Sequence, residues 1–184
     1  MKRLISFSIF FVVAIVAWWS TSNDLYDDNQ LQQFTDKPYI EIFMNKFELT
    51  AMNDSGKPGY TLQGLELIKY NDSDDTIIQQ PVIHLLQKSG QWTITAENAV
   101  LNNSNKTIQL NDHVIMQQQN RELASTIRTQ SLLIHTQKQI AQTSALVEIT
   151  RGKSLIRSTG MTYNNLTSEL ELSSKVSSHY LPNE

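Results

Sequence analysis

The sequence predicts an all-β domain that follows one N-terminal transmembrane helix. Three observations support this fold class. The chain begins with a long apolar stretch without charge, the remainder alternates apolar and polar residues in short runs, and those runs recur with a period of about 30 residues. The corresponding boundaries are residues 1–23 for a cytoplasmic tip and anchor, 24–38 for a polar linker, and 39–184 for the β-domain.

The N-terminal stretch has the length and the flanking residues of a membrane-spanning helix. Lys2 and Arg3 precede it and the next charge is Asp24, so 20 consecutive residues carry no charge. At about 1.5 Å per residue, a helix of this length spans the roughly 30 Å hydrocarbon layer of a bilayer. Trp18 and Trp19 lie where interfacial aromatic residues are common, and the basic pair orients the N-terminus toward the cytoplasm.

A cleaved signal peptide is the alternative interpretation of the same segment. Ser20 and Ser22 provide a small-x-small cleavage pattern, although the apolar run is long for a signal peptide. Both interpretations export the rest of the chain. Residues 24–38 are rich in Asp, Asn and Gln, lack periodicity and end in Lys37-Pro38, which is typical of a polar linker.

Beyond Pro38, short runs of alternating apolar and polar residues indicate strands. Turn-forming residues separate these runs at 71–75, 102–105 and 164–165. No stretch beyond residue 38 sustains the 3.6-residue period of a helix, so we expect this part of the chain to be all-β. The clearest runs are Phe47-Glu-Leu49, Trp92-Thr-Ile94, Ile108-Gln-Leu110, Val147-Glu-Ile149 and Leu170-Glu-Leu172.

A fourfold repeat organises the strands. Each unit begins at an aliphatic residue, has a small residue two positions later, and reaches a valine after 20 positions. The units are offset by 32, 33 and 29 residues, so length varies between units, where loops tolerate it. A unit of this size cannot bury its apolar face alone, and we therefore expect bent hairpins that stack. The units begin at Leu62, Ile94, Ile127 and Ile156, and their valines are Val82, Val114, Val147 and Val176.

The spacing also predicts a bend inside each unit. The first residue and the small residue share one face of a strand, but the next apolar residue, three positions on, changes face, as one extra residue would cause. We expect bulges near residues 97–98, 130–131 and 159–160. The apolar positions around the bends form one inward face, which is either a filled core or an interior that accommodates lipid. Its members are Ile94, Ala96, Ile108, Leu110, Val114, Met116, Ile127, Val147, Ile149, Ile156, Leu170, Leu172 and Val176.

The C-terminal strand is expected to be an open edge of the sheet. The fourth unit ends the repeat, and too few residues follow it to form another hairpin that could cover the edge. Lys175 is the only lysine or arginine between residues 170 and 180, so the edge lacks strong protection against strand pairing. Such an edge can bind a strand of another protein. The residues expected at this contact are Val176, Ser177, Ser178 and Tyr180.

The residues form no recognisable catalytic or metal-binding constellation. There is no cysteine, and the four histidines are not spaced as zinc ligands. The acidic run at 72–75 lacks the glycine and distal glutamate of a calcium loop, and no serine lies in a G-x-S-x-G elbow. The net charge of -3 argues against a general nucleic-acid binder, which needs a basic surface. We therefore expect neither an enzyme nor a cofactor or metal.

Several of these motifs resemble the LptC family of lipopolysaccharide-export components. The best local match is Trp92-Thr-Ile94-Thr-Ala96-Glu-Asn-Ala99-Val-Leu101, followed by Asp112-His-Val114. Asp112 replaces the glycine that is usual at that position. A second match runs from Asn45-Lys-Phe47-Glu-Leu49 to Tyr60-Thr-Leu62 and resembles the first hairpin of the family. The resemblance covers roughly residues 1–180, and the retained anchor distinguishes it from the soluble, LptA-like relatives.

The resemblance implies an open, V-shaped antiparallel β-jellyroll without catalytic residues. It implies an inner-membrane anchor that associates with the ABC transporter of LptB, LptF and LptG, with the β-domain in the periplasm. The N-terminal sheet edge would receive lipopolysaccharide from the transporter, and the C-terminal edge would pass it to an LptA-type protein during outer-membrane assembly. A secreted or anchored structural β-repeat protein is the alternative from another functional class, and a soluble LptA-like bridge protein is the alternative if the N-terminus is cleaved. A β-helical carbohydrate-active enzyme is disfavoured because no paired carboxylates recur.

Overall fold

The computed structural model describes residues 37–53, 56–86, 92–118 and 124–180. The predicted anchor at residues 1–23 and most of the predicted linker lie outside these residues. All regular secondary structure in the described part of the chain is β-strand, which confirms the all-β prediction for these residues. Within the same ranges there is no helix of sufficient length and hydrophobicity to cross a membrane.

The strands form one antiparallel sheet in which the chain runs back and forth. The segments β3 and β4 are separated by Gln80 and Pro81, and β5 and β6 by Ala96 and Glu97. Because β3 pairs with β6 and β4 pairs with β5, each interrupted strand continues across its break. The arrangement is consistent with a β-jellyroll of bent hairpins. The strands are β1 (Ile40–Met52), β2 (Pro58–Tyr70), β3 (Asp75–Gln79), β4 (Val82–Leu85), β5 (Trp92–Thr95), β6 (Asn98–Asn102), β7 (Thr107–Gln118), β8 (Ser125–His135), β9 (Ile140–Arg151), β10 (Ser154–Asn164) and β11 (Glu169–His179).

A line of backbone bends crosses the middle of the sheet. The register between β8 and β9 shifts between Thr129 and Leu133, and that between β10 and β9 shifts between Thr159 and Met161. The break between β5 and β6 lies on the same line. These irregularities confirm the bends predicted near residues 97–98, 130–131 and 159–160.

Left-handed backbone conformations produce several of these bends. Gly160 has φ of 81°, which glycine adopts without steric cost. In other residues this conformation costs about 1–2 kcal/mol each, so the pairing and burial on both sides of the bend must offset that cost. The non-glycine residues with positive φ on this line are Lys46, Gln80, Asp112, His113 and Lys175.

The bends bring the two halves of the sheet together face to face. Trp92 in β5 and Tyr163 in β10 are separated by four strand-to-strand steps in the sheet. In a flat sheet with strands about 4.8 Å apart, they would be roughly 19 Å from each other. Their ring centroids lie 5.5 Å apart in an edge-on contact, so the sheet must fold over itself. The apolar face of one half is therefore buried by the apolar face of the other.

The interior packs tightly against Gly64 of β2. A Cβ atom at Gly64 would lie 2.8 Å from Cε1 of Phe47 and 2.9 Å from Cγ2 of Ile78, which is closer than such contacts normally occur. In the first unit, packing therefore requires a small residue two positions after the unit's first residue, Leu62. Gly59, on the same strand, has more space, because its Cβ would meet nothing closer than 3.5 Å.

We expect Gly64→Ala to lower the free energy of unfolding by about 1–3 kcal/mol, because the methyl group would overpack the core. Chemical denaturation of the full-length protein followed by circular dichroism measures this change. Gly59→Ala is the matched control and should change stability by less than about 1 kcal/mol. Equal stability of the two variants would contradict the close approach of β2 to Phe47 and Ile78.

Candidate functional site

Most of the predicted inward positions lie in the packed interior. Ile94, Ile108, Leu110, Val114, Met116, Ile127, Val147 and Ile149 are at most 6% exposed. Ala96, Ile156 and Leu172 are partly buried and pack against them. Because these side chains already contact one another, an acyl chain can reach most of them only if the two halves of the sheet separate.

Leu170 and Val176 differ from the other predicted inward positions. They are 38% and 54% exposed, so they are not part of the packed interior. Both belong to β11, which pairs with β10 on one side and with no other strand in the described ranges. The repeat places them at apolar positions, but within the described ranges no strand beyond β11 covers them.

A cavity of about 60 Å³ opens between the two halves of the sheet. One wall comes from the ends of β1, β2 and β4, and the other from β7 to β10 and two turns. The walls are mainly aliphatic and aromatic, as expected for a site that binds an apolar group. Of the predicted inward positions, Ile108 lines it. The lining residues are Met52, Asn53, Gly59, Tyr60, Ile83, Leu85, Ile108, Ile134, Thr136, Gln139, Ile140, Ala141, Tyr163 and Asn165.

Sequence reasoning missed most of this cavity, although one signal was present. Seven positions after the first residue of a unit, the last three units have Leu101, Ile134 and Tyr163. Ile134 and Tyr163 line the cavity and are 5% and 4% exposed. Tyr60 and Leu85 face each other in the paired strands β2 and β4. They had no comparable signal, because only the folding of the sheet brings them to the same cavity as Ile134 and Tyr163.

Three consecutive turns support the polar side of the cavity. They comprise residues 103–106, 136–139 and 165–168, which connect β6 to β7, β8 to β9 and β10 to β11. The backbone N–H of Thr136 donates to the carbonyl of Lys106 over 3.0 Å, and that of Asn165 donates to the carbonyl of Gln139 over 2.9 Å. The turns are thereby fixed to one another, which holds Thr136, Gln139 and Asn165 at the cavity.

Among the titratable side chains that line the cavity, the phenol of Tyr60 has a clearly shifted pKa. Burial raises its pKa above the ordinary value of 10.0, because the anion would lose hydration in this apolar setting. The hydroxyl therefore remains protonated at neutral pH. It presents a polar but uncharged group at the cavity.

The two edges of the sheet form the second candidate surface. Among the described residues, β1 pairs only with β2, and β11 pairs only with β10. The edge strand β1 also exposes apolar side chains, each by 38% or more: Ile40, Ile42, Phe43 and Met44. Strand edges with unpaired backbone groups and exposed apolar side chains can extend a sheet into another molecule.

The residues predicted for a partner contact lie at the free end of β11. Ser177 faces Arg157 of β10, and Ser178 faces Ile156. Val176 lies within the local register shift between these two strands, next to Lys175 with φ of 48°. Tyr180 follows the strand and is 77% exposed, so an apolar side chain is available beside the free edge.

The described part of the chain contains no group of His, Asp or Glu side chains that could hold a metal ion. Its histidines instead make individual contacts. Nδ1 of His84 lies 3.0 Å from the hydroxyl of Thr93, and Nδ1 of His113 lies 2.6 Å from a carboxylate oxygen of Glu97. The cavity and the edges offer burial and strand pairing rather than a reactive group.

Comparison with known families gives a match over most of the chain. The family model for LptC, described as lipopolysaccharide-assembly, LptC-related, matches residues 9–181. No curated protein shows a significant match.

Because ionisation of Tyr60 is disfavoured in the folded state, its contribution to stability should depend on pH. The contribution is complete below the unfolded pKa of 10.0 and is lost as the pH rises through the higher folded pKa. We expect the stability difference between wild type and Tyr60→Phe to be constant below about pH 9 and to shift in favour of the variant toward about pH 11. Denaturation across this range tests it, and a difference that does not change with pH would contradict the burial of the phenol.

Proposed function

Because the chain belongs to the LptC family of lipopolysaccharide-assembly proteins, we propose that it transfers lipopolysaccharide without an enzymatic step. Membership in the family gives the chain a role in lipopolysaccharide transport. The proposal adds direction and partners. The donor is an inner-membrane ABC transporter of LptB, LptF and LptG, and the acceptor is an LptA-type bridge protein in the periplasm.

The observation that carries this proposal is the apolar cavity between two halves of one folded sheet. Acyl chains bind by removing methylene groups from water, which contributes about 0.8 kcal/mol for each group. The cavity admits a short apolar segment directly. Continuation of the chain into the interior, past residues such as Ile108 and Leu110, requires the halves to move apart. The predicted inward positions are then the surface that receives the lipid.

The predicted anchor determines the location in this proposal. Residues 1–23 would hold the protein in the inner membrane and contact the transporter, and residues 24–38 would connect the anchor to the β-domain in the periplasm. The free edge of β1 would accept a strand of the transporter's periplasmic domain. The free edge of β11 would accept a strand of the LptA-type protein, so that the folded sheets join into one continuous path.

Uptake of lipid at the cavity can be tested with a photo-crosslinking amino acid at Ile134 or at Leu133. Ile134 lines the cavity, whereas its neighbour Leu133 points to the opposite face of β8. We expect the probe at position 134 to capture lipopolysaccharide in living cells and the probe at position 133 to capture at least about tenfold less, because the two faces of a strand have opposite environments. Equal capture at both positions, or none at either, would favour a structural β-repeat protein instead.

The proposed role of the β11 edge can be tested with Val176→Lys. A lysine on an edge strand opposes pairing, because its charge must be desolvated when another strand approaches. We expect the affinity for an LptA-type partner to fall by about tenfold, while association with the transporter is retained.

Leu146→Lys is the matched control for this substitution. Leu146 is 75% exposed and lies on β9, which has neighbouring strands on both sides. The same charge at that position should leave partner binding unchanged, as measured by pull-down of each partner separately. If Val176→Lys bound the LptA-type protein like wild type, the β11 edge could not be the docking site.

A further inference from the structure

A row of hydrogen bonds follows the line of bends from β3 to β7. The backbone N–H of Gln80, which lies between β3 and β4, donates to the carbonyl of Glu97 over 2.8 Å. The backbone N–H of Glu97, which lies between β5 and β6, donates in turn to the carbonyl of Asp112 in β7 over 3.0 Å. Because each of these residues lies in a break or a bend, the bonds join the bends of neighbouring strands to one another.

The side chain of Asp112 extends this row to β8. Between Asn111 and Val114 the register of β7 with β8 shifts, so that two residues of β7 lie opposite Gln130 of β8. There the Asp112 carboxylate accepts a hydrogen bond from Nε2 of Gln130 over 2.7 Å. Its other oxygen accepts one from Nδ2 of Asn98, the first residue of β6, over 3.2 Å. One carboxylate therefore holds the strands on both sides of β7 at the bend.

These two bonds depend on the backbone conformation of β7. Asp112 and His113 are both left-handed, with φ of 62° and 49°. A straighter β7 requires these residues to leave that region, because φ in a regular strand is about −140°. Such a change points the Asp112 side chain in another direction and breaks its bonds to Gln130 and Asn98. The bonds therefore oppose any change in the angle of the bend.

The bend near β11 is held in a different way. Gly160 supplies the left-handed conformation in β10, and Oγ of Ser174 in β11 donates to the carbonyl of Thr159 over 3.1 Å. This hydroxyl ties two strands together, whereas the Asp112 carboxylate ties three. The position of β7 adds to the difference, because β8 to β11 follow it on one side of the sheet and β1 to β6 lie on the other. Asp112 thus restrains the line of bends near its middle.

We propose that the Asp112 carboxylate is a latch that limits how far the two halves of the sheet separate. The inference rests on the proposed uptake of acyl chains between these halves, and it adds a restraint that regulates this uptake. With both side-chain bonds intact, the bend in β7 keeps its angle and the interior stays closed. Loss of the bonds lets β7 straighten, and the halves then move apart at the ends that are remote from the bends.

Distances between the two halves test this role directly. The chain has no cysteine, so Lys138→Cys and Lys153→Cys introduce two unique attachment sites for spin labels. Both lysines are exposed, and they lie in the turns at opposite ends of β9, which the bend places on different halves. Pulsed electron paramagnetic resonance measures the distance between the labels in the full-length protein in lipid nanodiscs.

Two variants remove latch bonds. Asp112→Gly removes both and leaves a residue that adopts the left-handed conformation without steric cost. We expect the population at longer distances to rise by about two- to tenfold for each bond lost. Gln130→Ala removes one bond without a change in β7, so it should give a smaller rise in the same direction. Circular dichroism verifies that each variant has the wild-type fold before its distances are compared.

Two further variants separate the bonds from other effects. An asparagine tolerates the left-handed conformation, can accept from Asn98 and can donate to the oxygen of a rotated Gln130 amide. Asp112→Asn should therefore keep the wild-type distances. Gln117→Ala, at an exposed position of β7 away from the bend, should keep them as well.

Capture of lipopolysaccharide by a photo-crosslinking amino acid at position 134, measured in the same variants, connects the latch to uptake. Capture should increase with the population at longer distances. Unchanged distances in both Asp112→Gly and Gln130→Ala, or capture that does not increase with the distances, would overturn the latch and leave the uptake of acyl chains intact. Absence of capture in every variant would overturn that uptake, and the distances would still decide whether Asp112 holds the halves together.

Discussion

The structure depends on the burial of one apolar sheet face against itself. In the described residues the domain has no helix and no second sheet that could cover this face. An antiparallel sheet with one apolar face must find a partner surface, and here the partner is the other half of the same sheet. The line of bends follows from this requirement. Left-handed residues such as Asp112 and His113 are tolerated on that line because folding at this point buries Leu110 and Val114 completely.

A sheet that folds on itself also determines where the domain can contact other molecules. Because the chain runs from β1 to β11 as successive antiparallel neighbours, the first and last strands each keep one unpaired side in the described residues. Unpaired strand edges of this kind can accept a further strand. The interior and the edges are thus consequences of the same topology.

Local spacing predicted the features that local geometry determines. The bends near residues 130–131 and 159–160 follow from a parity change over a few residues, and the turns follow from Asn-rich segments. Burial at β11 was not predictable in this way. Leu170 and Val176 have the apolar pattern of an inward face, but exposure depends on whether another strand follows. The cavity required the folded sheet, since Tyr60 and Tyr163 belong to distant strands. Asn165 has the sequence of an ordinary turn residue, and only its burial distinguishes it from Asn103.

The packed interior has a physical consequence for a protein that must release what it binds. Separating the two halves exposes side chains such as Ile94 and Met116, which are almost completely buried, and each fully buried side chain of this size contributes about 1.5–3 kcal/mol. An acyl chain offsets this cost by about 0.8 kcal/mol for each methylene group it buries. The net affinity is therefore a difference between two large terms, and it can remain moderate even for a long apolar ligand. If acyl chains bind between the halves as proposed, the halves would close again when the lipid leaves and would recover their own contacts. In the proposed relay, closure of the empty interior would therefore favour release.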